Sequence, residues 1–191
     1  MTSETDIANL ALSRLGNGPI TSLDENSMAA ETARFHYART RDAVLEAHPW
    51  NFAIRRANLA LDDDTPAFEY AYSFALPEDC LKVVRTDAEA SGYSDVSYRI
   101  EGRSLLCDDD TVMIEYVRKE TNPDVFSALF VDLLAQRLAA EMCVRLTQNA
   151  SLQKGLWDVY QTKLGEARTS DAQQGTPRDV VDSNGWILAR L

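Results

Sequence analysis

The two histidines of the sequence are its best candidates for acid–base chemistry or metal binding near neutral pH. His36 lies in a helical pattern beside Phe35 and Tyr37, and His48 stands at a predicted helix end before Pro49, where it can interact with the last carbonyls. Neither has a Glu or Cys partner at a spacing such as H-E-x-x-H, and no nucleophile motif or glycine-rich phosphate loop occurs. The sequence therefore predicts structural roles for both histidines, with no catalytic residue, no metal site, no cofactor and no enzyme activity.

Two runs of three aspartates, Asp62–Asp64 and Asp108–Asp110, carry the oxygen ligands that Ca²⁺ and Mg²⁺ prefer. Adjacent side chains point in divergent directions, however, and like charges in exposed turns also discourage edge-to-edge pairing of strands. We favour solvated turns over cation sites. A glycosidase pair of carboxylates stays open, because nothing singles out two of the 30 acidic residues.

Basic residues follow an aromatic pair where the first long helical pattern ends. Trp50, Phe52, Arg55 and Arg56 could form a contact patch for a partner, since Trp and Arg are over-represented in interface hot spots. Alternatively, the two aromatic side chains cap the helical core while the arginines pair with local acids. The sequence alone favours neither interpretation.

The net charge of −11 comes from 30 acidic and 19 basic residues. Such a field repels phosphate backbones and anionic lipids, which argues against tight nucleic-acid binding and against adsorption to membranes. Between Asp62 and Asp124 the sequence has 16 acidic and 6 basic residues, whereas the two flanks together have 14 and 13. One middle segment therefore carries nearly all of the net charge.

A length of 191 residues with 45% hydrophobic residues predicts one domain, with or without an inserted subdomain. The cysteines Cys80, Cys107 and Cys143 have no C-x-x-C spacing, which indicates buried free thiols in a reducing compartment. The sequence contains no secretory leader pattern and no apolar window of about 18 residues. We expect a soluble protein made in the cytosol.

Helical periodicity occurs on both sides of the acidic segment. A capping-box pattern at residues 3–6 opens a short helix that Gly16 breaks, and a similar pattern at residues 22–25 opens a longer helix to about Ala47. After Pro123 a third helix has only a narrow polar stripe, which predicts a position at the centre of the core.

A fourth helix is predicted from about Ser151 to Arg168. Residues 169–184 are then polar and aperiodic, yet an apolar cluster follows at residues 186–191. Fully burying a Trp, Ile or Leu side chain is worth roughly 1.5 to 3 kcal/mol. This ending therefore indicates a tethered anchor, with folding back onto the protein's own helices as the alternative.

Between the helical regions the apolar period is 2, as in half-buried strands. The clearest strand is predicted from Phe68 to Leu76, and the short connections favour an antiparallel meander. The other predicted strands are residues 81–85, 96–100, 104–107 and 112–117.

These elements predict an α+β fold: a helical bundle of about four helices with an inserted antiparallel β-sheet and an extended C-terminal arm. Residues 1–61 and 123–168 form the bundle, residues 62–122 the acidic β subdomain, and residues 169–191 the arm.

The order of the parts and several local motifs resemble the tail tubular protein A family of short-tailed bacteriophages (podoviruses), which are head-to-tail adaptors or gatekeepers. The most specific motifs are the helix-end His-Pro-Trp-Asn-Phe and the strand-end Leu-Pro-Glu-Asp-Cys. The matching segments are ANLALSRLG at 8–16, AHPWNFA at 47–53 followed by Arg55-Arg56-Ala57, YAYSFALPEDCL at 70–81 and GWILAR at 185–190.

The resemblance implies a structural virion protein of the viral tail or neck, assembled in the host cytoplasm. Copies would form a dodecameric ring between the portal protein and a tail nozzle protein of the tail tubular protein B kind. The ring would continue the DNA channel and help to retain and release the genome without binding DNA tightly, and it would contact no membrane. The portal-binding residues implied for the arm are Trp186, Ile187, Leu188, Arg190 and Leu191.

Two alternatives stay open at this point. One is a tail-associated carbohydrate hydrolase, and the other is a small cytosolic helical adaptor protein. The polar part of the arm is acidic and contains Pro177, which departs from the family pattern and leaves the docking geometry of the arm open.

Overall fold

The computed structural model describes residues 2–63, 65–90 and 97–174. The described residues have an α+β fold, as predicted, in which long helices form a bundle and the strands form two antiparallel sheets. No described helix is long and apolar enough to cross a membrane. The helices are α1 Glu4–Arg14, α2 Met28–Glu46, the short α3 Asp87–Ala90, α4 Ala128–Thr147 and α5 Ala150–Ala172. The strands are β1 Ile54–Asn58, β2 Ala60–Leu61, β3 Tyr72–Ala75, β4 Cys80–Thr86, β5 Tyr98–Glu101, β6 Ser104–Cys107 and β7 Met113–Arg118.

The first helix begins where the capping box predicts. The Ser3 hydroxyl accepts a hydrogen bond from the Asp6 N–H, and the Asp6 carboxylate accepts one from the Ser3 N–H. The predicted start of the second helix at Ser22 is wrong, because α2 is capped by Ser27 instead. Glu25 folds back to accept hydrogen bonds from the N–H and hydroxyl of Thr21, so this pattern closes a turn.

The predicted central helix is confirmed. Helix α4 packs against α1, α2 and α5, and its buried residues lie on most of its sides. The polar side chain of Gln136 is accommodated because its amide donates to the carbonyl of Leu156 at 3.0 Å. Asp132 on the same helix forms ion pairs with Arg14 of α1 and Lys163 of α5. One carboxylate therefore joins three helices at one end of the bundle.

Two sheets replace the single meander that the sequence predicts. Their strand orders are β1-β7-β4 and β2-β3-β6-β5, with every pair antiparallel. The antiparallel prediction is confirmed, but the meander is wrong because β7 inserts between β1 and β4. The strand β1 was missed: it begins at Ile54, within residues 1–61, which the sequence assigns to the helical bundle. Its consecutive arginines hide the alternation of a half-buried strand.

A second core lies between the two sheets. Phe74 and Leu105 of the four-stranded sheet are buried in one cluster with Ile114 and Tyr116 of the three-stranded sheet. The opposite face of the three-stranded sheet contributes Val117 to the helical core. The three-stranded sheet is thus the layer between bundle and outer sheet. All three cysteines are free and buried, as predicted.

The strand predicted from Phe68 to Leu76 is shorter than expected. Only Tyr72–Ala75 forms β3, while Phe68 is 81% exposed and Glu69 has a left-handed φ of 74°. A residue in that conformation ends an extended segment, so the alternation before Tyr72 does not correspond to a strand.

Helix α5 is longer than predicted. It continues to Ala172, beyond the expected end at Arg168, and both Ala167 and Asp171 are buried. Tertiary contacts of Asp171 with the loop after α2 hold this polar turn in helical form. The first residues of the predicted arm therefore belong to the bundle.

Candidate functional site

The portal-binding residues predicted in the arm lie outside the described residues; they are Trp186, Ile187, Leu188, Arg190 and Leu191. The structure does define the last turn of α5, which precedes them, and the description reaches Gln174. We refer to residues 175–191 as the terminal segment. The last turn of α5, which connects the bundle to the terminal segment, is the first part of the candidate functional site.

Asp171 fastens the end of α5 to the loop after α2. It is 7% exposed, and its carboxylate accepts a hydrogen bond from the Asn51 N–H at 3.2 Å and lies 3.2 Å from Nε2 of His48. The Asn51 amide donates to the Asp171 carbonyl at 2.7 Å, and the Arg168 guanidinium donates to the Ala47 carbonyl at 2.6 Å. We call these five residues the arm-base latch.

His48 has a different partner from the one predicted. The sequence places it against the last carbonyls of its own helix, whereas the structure places it against Asp171 of α5. Burial lowers the pKa of His48, and this effect outweighs the opposing influence of the Asp171 carboxylate; the charges of Arg168 and Lys82 lower the pKa further. His48 is therefore neutral in the folded protein at neutral pH.

This pKa direction predicts a pH-dependent stability. A histidine whose pKa is lower in the folded than in the unfolded protein supplies stability above its ordinary value of 6.5, and this stability is lost as the pH falls through the folded pKa. Burial also lowers the pKa of His36. We expect the free energy of unfolding, measured by urea titration, to decrease as the pH falls from about 7.5 to about 5.5.

The matched variant is His48→Gln, which keeps a donor for Asp171 but does not titrate. We expect its stability to decrease less over this pH range, with the remaining decrease due to His36. Equal pH dependence in the two proteins would show that His48 does not contribute.

Trp50 and Phe52 are part of the helical core. Trp50 is 1% exposed, its indole N–H donates to the Val44 carbonyl at 2.8 Å, and its ring meets that of Phe130 edge to face at a centroid distance of 5.2 Å. Phe52 is partly buried and contacts the Phe130 ring at 4.9 Å. An exposed patch that includes Trp50 is therefore wrong, because a folded partner cannot reach this side chain.

The two arginines lie beyond this aromatic cluster, on β1. Arg55 is exposed and donates to the Ile54 carbonyl at 3.1 Å. Arg56 is directly opposite Glu115 of β7 and forms an ion pair with it at 3.1 Å. The structure thus separates the four predicted residues into a buried aromatic pair and an exposed basic pair.

Arg56 belongs to a groove along the three-stranded sheet. One part, of about 620 Å³, is lined by Asn51, Ile54, Val84 and the ion-paired side chains of Arg56, Arg85 and Glu115. A second part, of about 280 Å³, shares those three charged residues and continues past Ala57 and Met113 to Ala90 of α3. Asp87 also lines this second part, so two arginines and two carboxylates line the whole groove, and we call the two parts together the sheet groove.

Glu115 holds the two arginines of the sheet groove in place. Its carboxylate accepts hydrogen bonds from Arg85 at 2.7 Å and from Arg56 at 3.1 Å. Burial raises the pKa of Glu115, but the hydrogen bonds and charges of Arg85 and Arg56 outweigh this effect and leave the pKa below its ordinary value. Glu115 therefore forms ion pairs with two guanidiniums, one from each strand that flanks β7.

One aspartate of each run hydrogen-bonds to a neighbouring part of the outer sheet. The Asp62 carboxylate accepts hydrogen bonds from the hydroxyls of Ser73 and Ser104, and Asp108 accepts one from the Ala71 N–H. Asp64 lies outside the described residues. Within residues 2–63, 65–90 and 97–174, no group of three or more His, Cys, Asp or Glu side chains is arranged to hold a metal ion.

No protein-family model and no curated protein matches this chain. We therefore infer function from the motifs above and from the geometry of the described residues.

Sequence reasoning missed two residues that organise the candidate surface. Asp171 falls within the segment predicted to be an aperiodic arm, and its partners His48 and Asn51 are 123 and 120 positions away. Glu115 lies in a correctly predicted strand, but its partners follow from a strand pairing that the sequence does not reveal. The only local signal was the isolated acidic residue between the apolar Ile114 and Tyr116.

Proposed function

We propose that this chain is a structural head-to-tail connector of a short-tailed phage or prophage particle, an adaptor and gatekeeper without enzymatic activity. In this role copies form a dodecameric ring between the portal protein and the tail nozzle protein. The ring continues the DNA channel and helps to retain and release the packaged genome. Its location is the neck or tail of the virion.

The observation that carries this proposal is the dual use of the segment from Ala47 to Ala53. This segment contains the most specific motif of the resemblance, and it performs two mechanical tasks in the fold. Trp50 and Phe52 fill the core of the bundle, while His48 and Asn51 hold Asp171 at the end of α5. The motif therefore holds the end of α5, from which the terminal segment continues. A connector that binds its partner through this segment needs such a fixed attachment point.

The second specific motif supports the same architecture. Leu76 to Cys80 leads from β3 of the outer sheet to β4 of the inner sheet. The Leu76 N–H donates to the Arg103 carbonyl within the outer sheet, and the Tyr116 hydroxyl donates to the Asp79 carboxylate on the inner one. The motif therefore fixes the crossing between the two sheets of the β subdomain.

The charge distribution is consistent with a channel protein that does not hold DNA. Residues 62–124 carry a net charge of −10, from 16 acidic and 6 basic side chains. An acidic surface forms few of the counterion-releasing contacts that bind phosphates. DNA can pass such a ring without being bound tightly by its surface.

The test mixes the protein with portal rings of the same particle and images the mixture by electron microscopy. We expect the full chain to add a ring of density to the portal, and a chain shortened to residues 1–174 to add none. The end point is Gln174 because a chain ending at Arg168 would also lose Asp171 and the latch. The two chains should unfold at the same urea concentration.

A second variant separates anchoring from general truncation. In the full chain, Trp186→Ala with Leu188→Ala should abolish the added density, whereas Thr176→Ala should preserve it. Undiminished binding by the shortened chain would contradict the role of the arm, and failure of the full chain to bind portal rings would contradict the connector proposal.

A further inference from the structure

The outer sheet ends at an edge strand, β5, that has one charged residue of each sign. In the described part of the chain, β5 has a neighbouring strand on one side only, which is β6. The side chains of Arg99 and Glu101 are 60% and 55% exposed and form an ion pair at 3.1 Å, and Ile100 between them is 43% exposed. An edge strand presents unpaired backbone groups, to which another extended segment can add.

The hairpin that contains β5 determines which backbone groups of this strand face the edge. Glu101 is opposite Ser104 across a two-residue turn, so these two residues exchange backbone hydrogen bonds. Hydrogen-bonded and non-hydrogen-bonded pairs alternate in an antiparallel ladder, and the N–H and C=O of Ile100 therefore point away from β6. Ile100 is the position at which an added strand can be hydrogen-bonded.

The two faces of β5 have different side chains. Ile100 is opposite Leu105, which is buried between the two sheets, so Ile100 lies on the inner face. Arg99 is opposite Leu106, and because side chains alternate along a strand, Arg99 and Glu101 share the outer face. A strand added at this edge thus meets an apolar side chain on one face and two opposite charges on the other.

The sequence of this edge is complementary to itself about Ile100. When two copies of β5 lie antiparallel and centred on Ile100, each Arg99 is directly opposite the Glu101 of the other copy. Opposite residues are about 5 Å apart, whereas the like charges occupy diagonal positions about 7 to 8 Å apart. The two Ile100 residues exchange two backbone hydrogen bonds, and their side chains meet on the inner face.

The other three edge strands of the described sheets lack this pattern. The charged residues of β1 and β4 are all basic, and β2 is followed directly by two aspartates. Two copies of any of these strands bring like charges together without opposite ones, which disfavours pairing. The pattern of charges therefore singles out β5 as the edge that fits a second copy of the chain.

We propose that two copies of this chain pair along β5, so that their four-stranded sheets join into one antiparallel sheet around a two-fold axis. Such an isologous contact closes at two copies and does not propagate into a ring. The inference therefore concerns the free protein and does not depend on the connector proposal. Because β5 has only four residues, the contact is small, and the dimer forms at protein concentrations of about 0.1 to 1 mM.

Sedimentation equilibrium of the full chain at protein concentrations up to about 1 mM tests the proposal. The buffer contains about 0.15 M salt, which screens the repulsion between two chains of net charge −11 beyond about 8 Å. We expect a monomer–dimer equilibrium, with amide NMR shifts that depend on concentration at residues 98–101 and not at Gly16. A protein that remains monomeric over this range overturns the proposal.

Charge variants test the register of the pairing. Arg99→Glu places two glutamates opposite each other and Glu101→Arg places two arginines opposite each other, so each variant alone should dimerise about tenfold more weakly. A mixture of the two variants has opposite charges at every opposed position and should form a heterodimer. The double variant, Arg99→Glu with Glu101→Arg, should restore the dimer within one kind of chain.

Arg55→Glu is the matched control, because Arg55 is exposed on the edge strand β1 and the change in net charge is the same. This variant should dimerise as the wild-type chain does. Equal weakening by Arg55→Glu and Arg99→Glu, or a mixture that does not associate, would show that the dimer forms elsewhere and overturn the assignment to β5. Urea unfolding of each variant verifies that the fold is intact.

Discussion

Replacing Trp50 by alanine is expected to lower the free energy of unfolding by about 3 to 5 kcal/mol. The side chain is 1% exposed and contacts Phe130 in the centre of the bundle, so its removal leaves a large cavity. The change also leaves the Val44 carbonyl without the hydrogen bond that the indole N–H donates to it. Urea unfolding monitored by circular dichroism measures the loss.

Two variants make this prediction specific. Trp50→Phe keeps most of the ring contacts but removes the indole N–H, and should cost less than the alanine variant. Trp157→Ala removes a tryptophan that is only partly buried on α5, and should also cost less than Trp50→Ala. A Trp50→Ala protein with unchanged stability would revive the interface interpretation of this residue, because contact residues affect binding and not folding.

The helices were predictable because their signals are local. A capping box at Ser3 and Asp6 and the wide apolar surface of α4 each lie within one element, where side-chain spacing reports directly on the period. The false start at Ser22 shows the limit of this approach. The same side-chain types close a turn when the acidic residue finds the backbone and hydroxyl of Thr21 instead of a helix end.

The sheets were predictable in direction but not in order. Short connections favour antiparallel pairing, and this holds for every pair in the structure. The insertion of β7 between β1 and β4 depends on contacts such as Arg56 with Glu115 and Arg85 with Glu115, which join distant parts of the chain. Such pairing is decided by the packing of both sheet faces, and periodicity reports on one strand at a time.

The candidate surface was predictable only in part. Sequence reasoning chose the segment from Trp50 to Arg56, and that segment does connect the core, the latch and the groove. It could not show which residues of the segment are buried and which are exposed. The side chains of Trp50 and Phe52 pack into the bundle, whereas the arginines lie on the strand that begins at Ile54. The role of Asp171 could not be predicted for the same physical reason as the sheet order, because it depends on contacts with His48 and Asn51, which are far away in the sequence.

Replacing Asp171 by alanine should release the last turns of α5. The change removes the acceptor of the Asn51 N–H and the partner of His48, at a site where Asp171 is 7% exposed. A typical hydrogen bond contributes about 0.5 to 1.5 kcal/mol, so the loss of both partly buried contacts should cost about 1 to 3 kcal/mol. We expect amide hydrogen exchange from Ala167 to Ala172 to accelerate about five- to hundredfold, while exchange in the centre of α4 changes little.

The matched control is Asp158→Ala, which removes an exposed carboxylate from the same helix and should leave exchange almost unchanged. In Asp171→Asn the remaining carbonyl oxygen can still accept from Asn51, so its effect should be intermediate.

If the connector proposal is right, Asp171→Ala should also weaken attachment to portal rings although every residue of the terminal segment is intact. The terminal segment is joined to the bundle only through the end of α5. Weaker attachment with an unchanged terminal segment would therefore identify the arm-base latch as part of the connector function. Unchanged exchange in Asp171→Ala would instead show that α5 holds its end by helix packing alone.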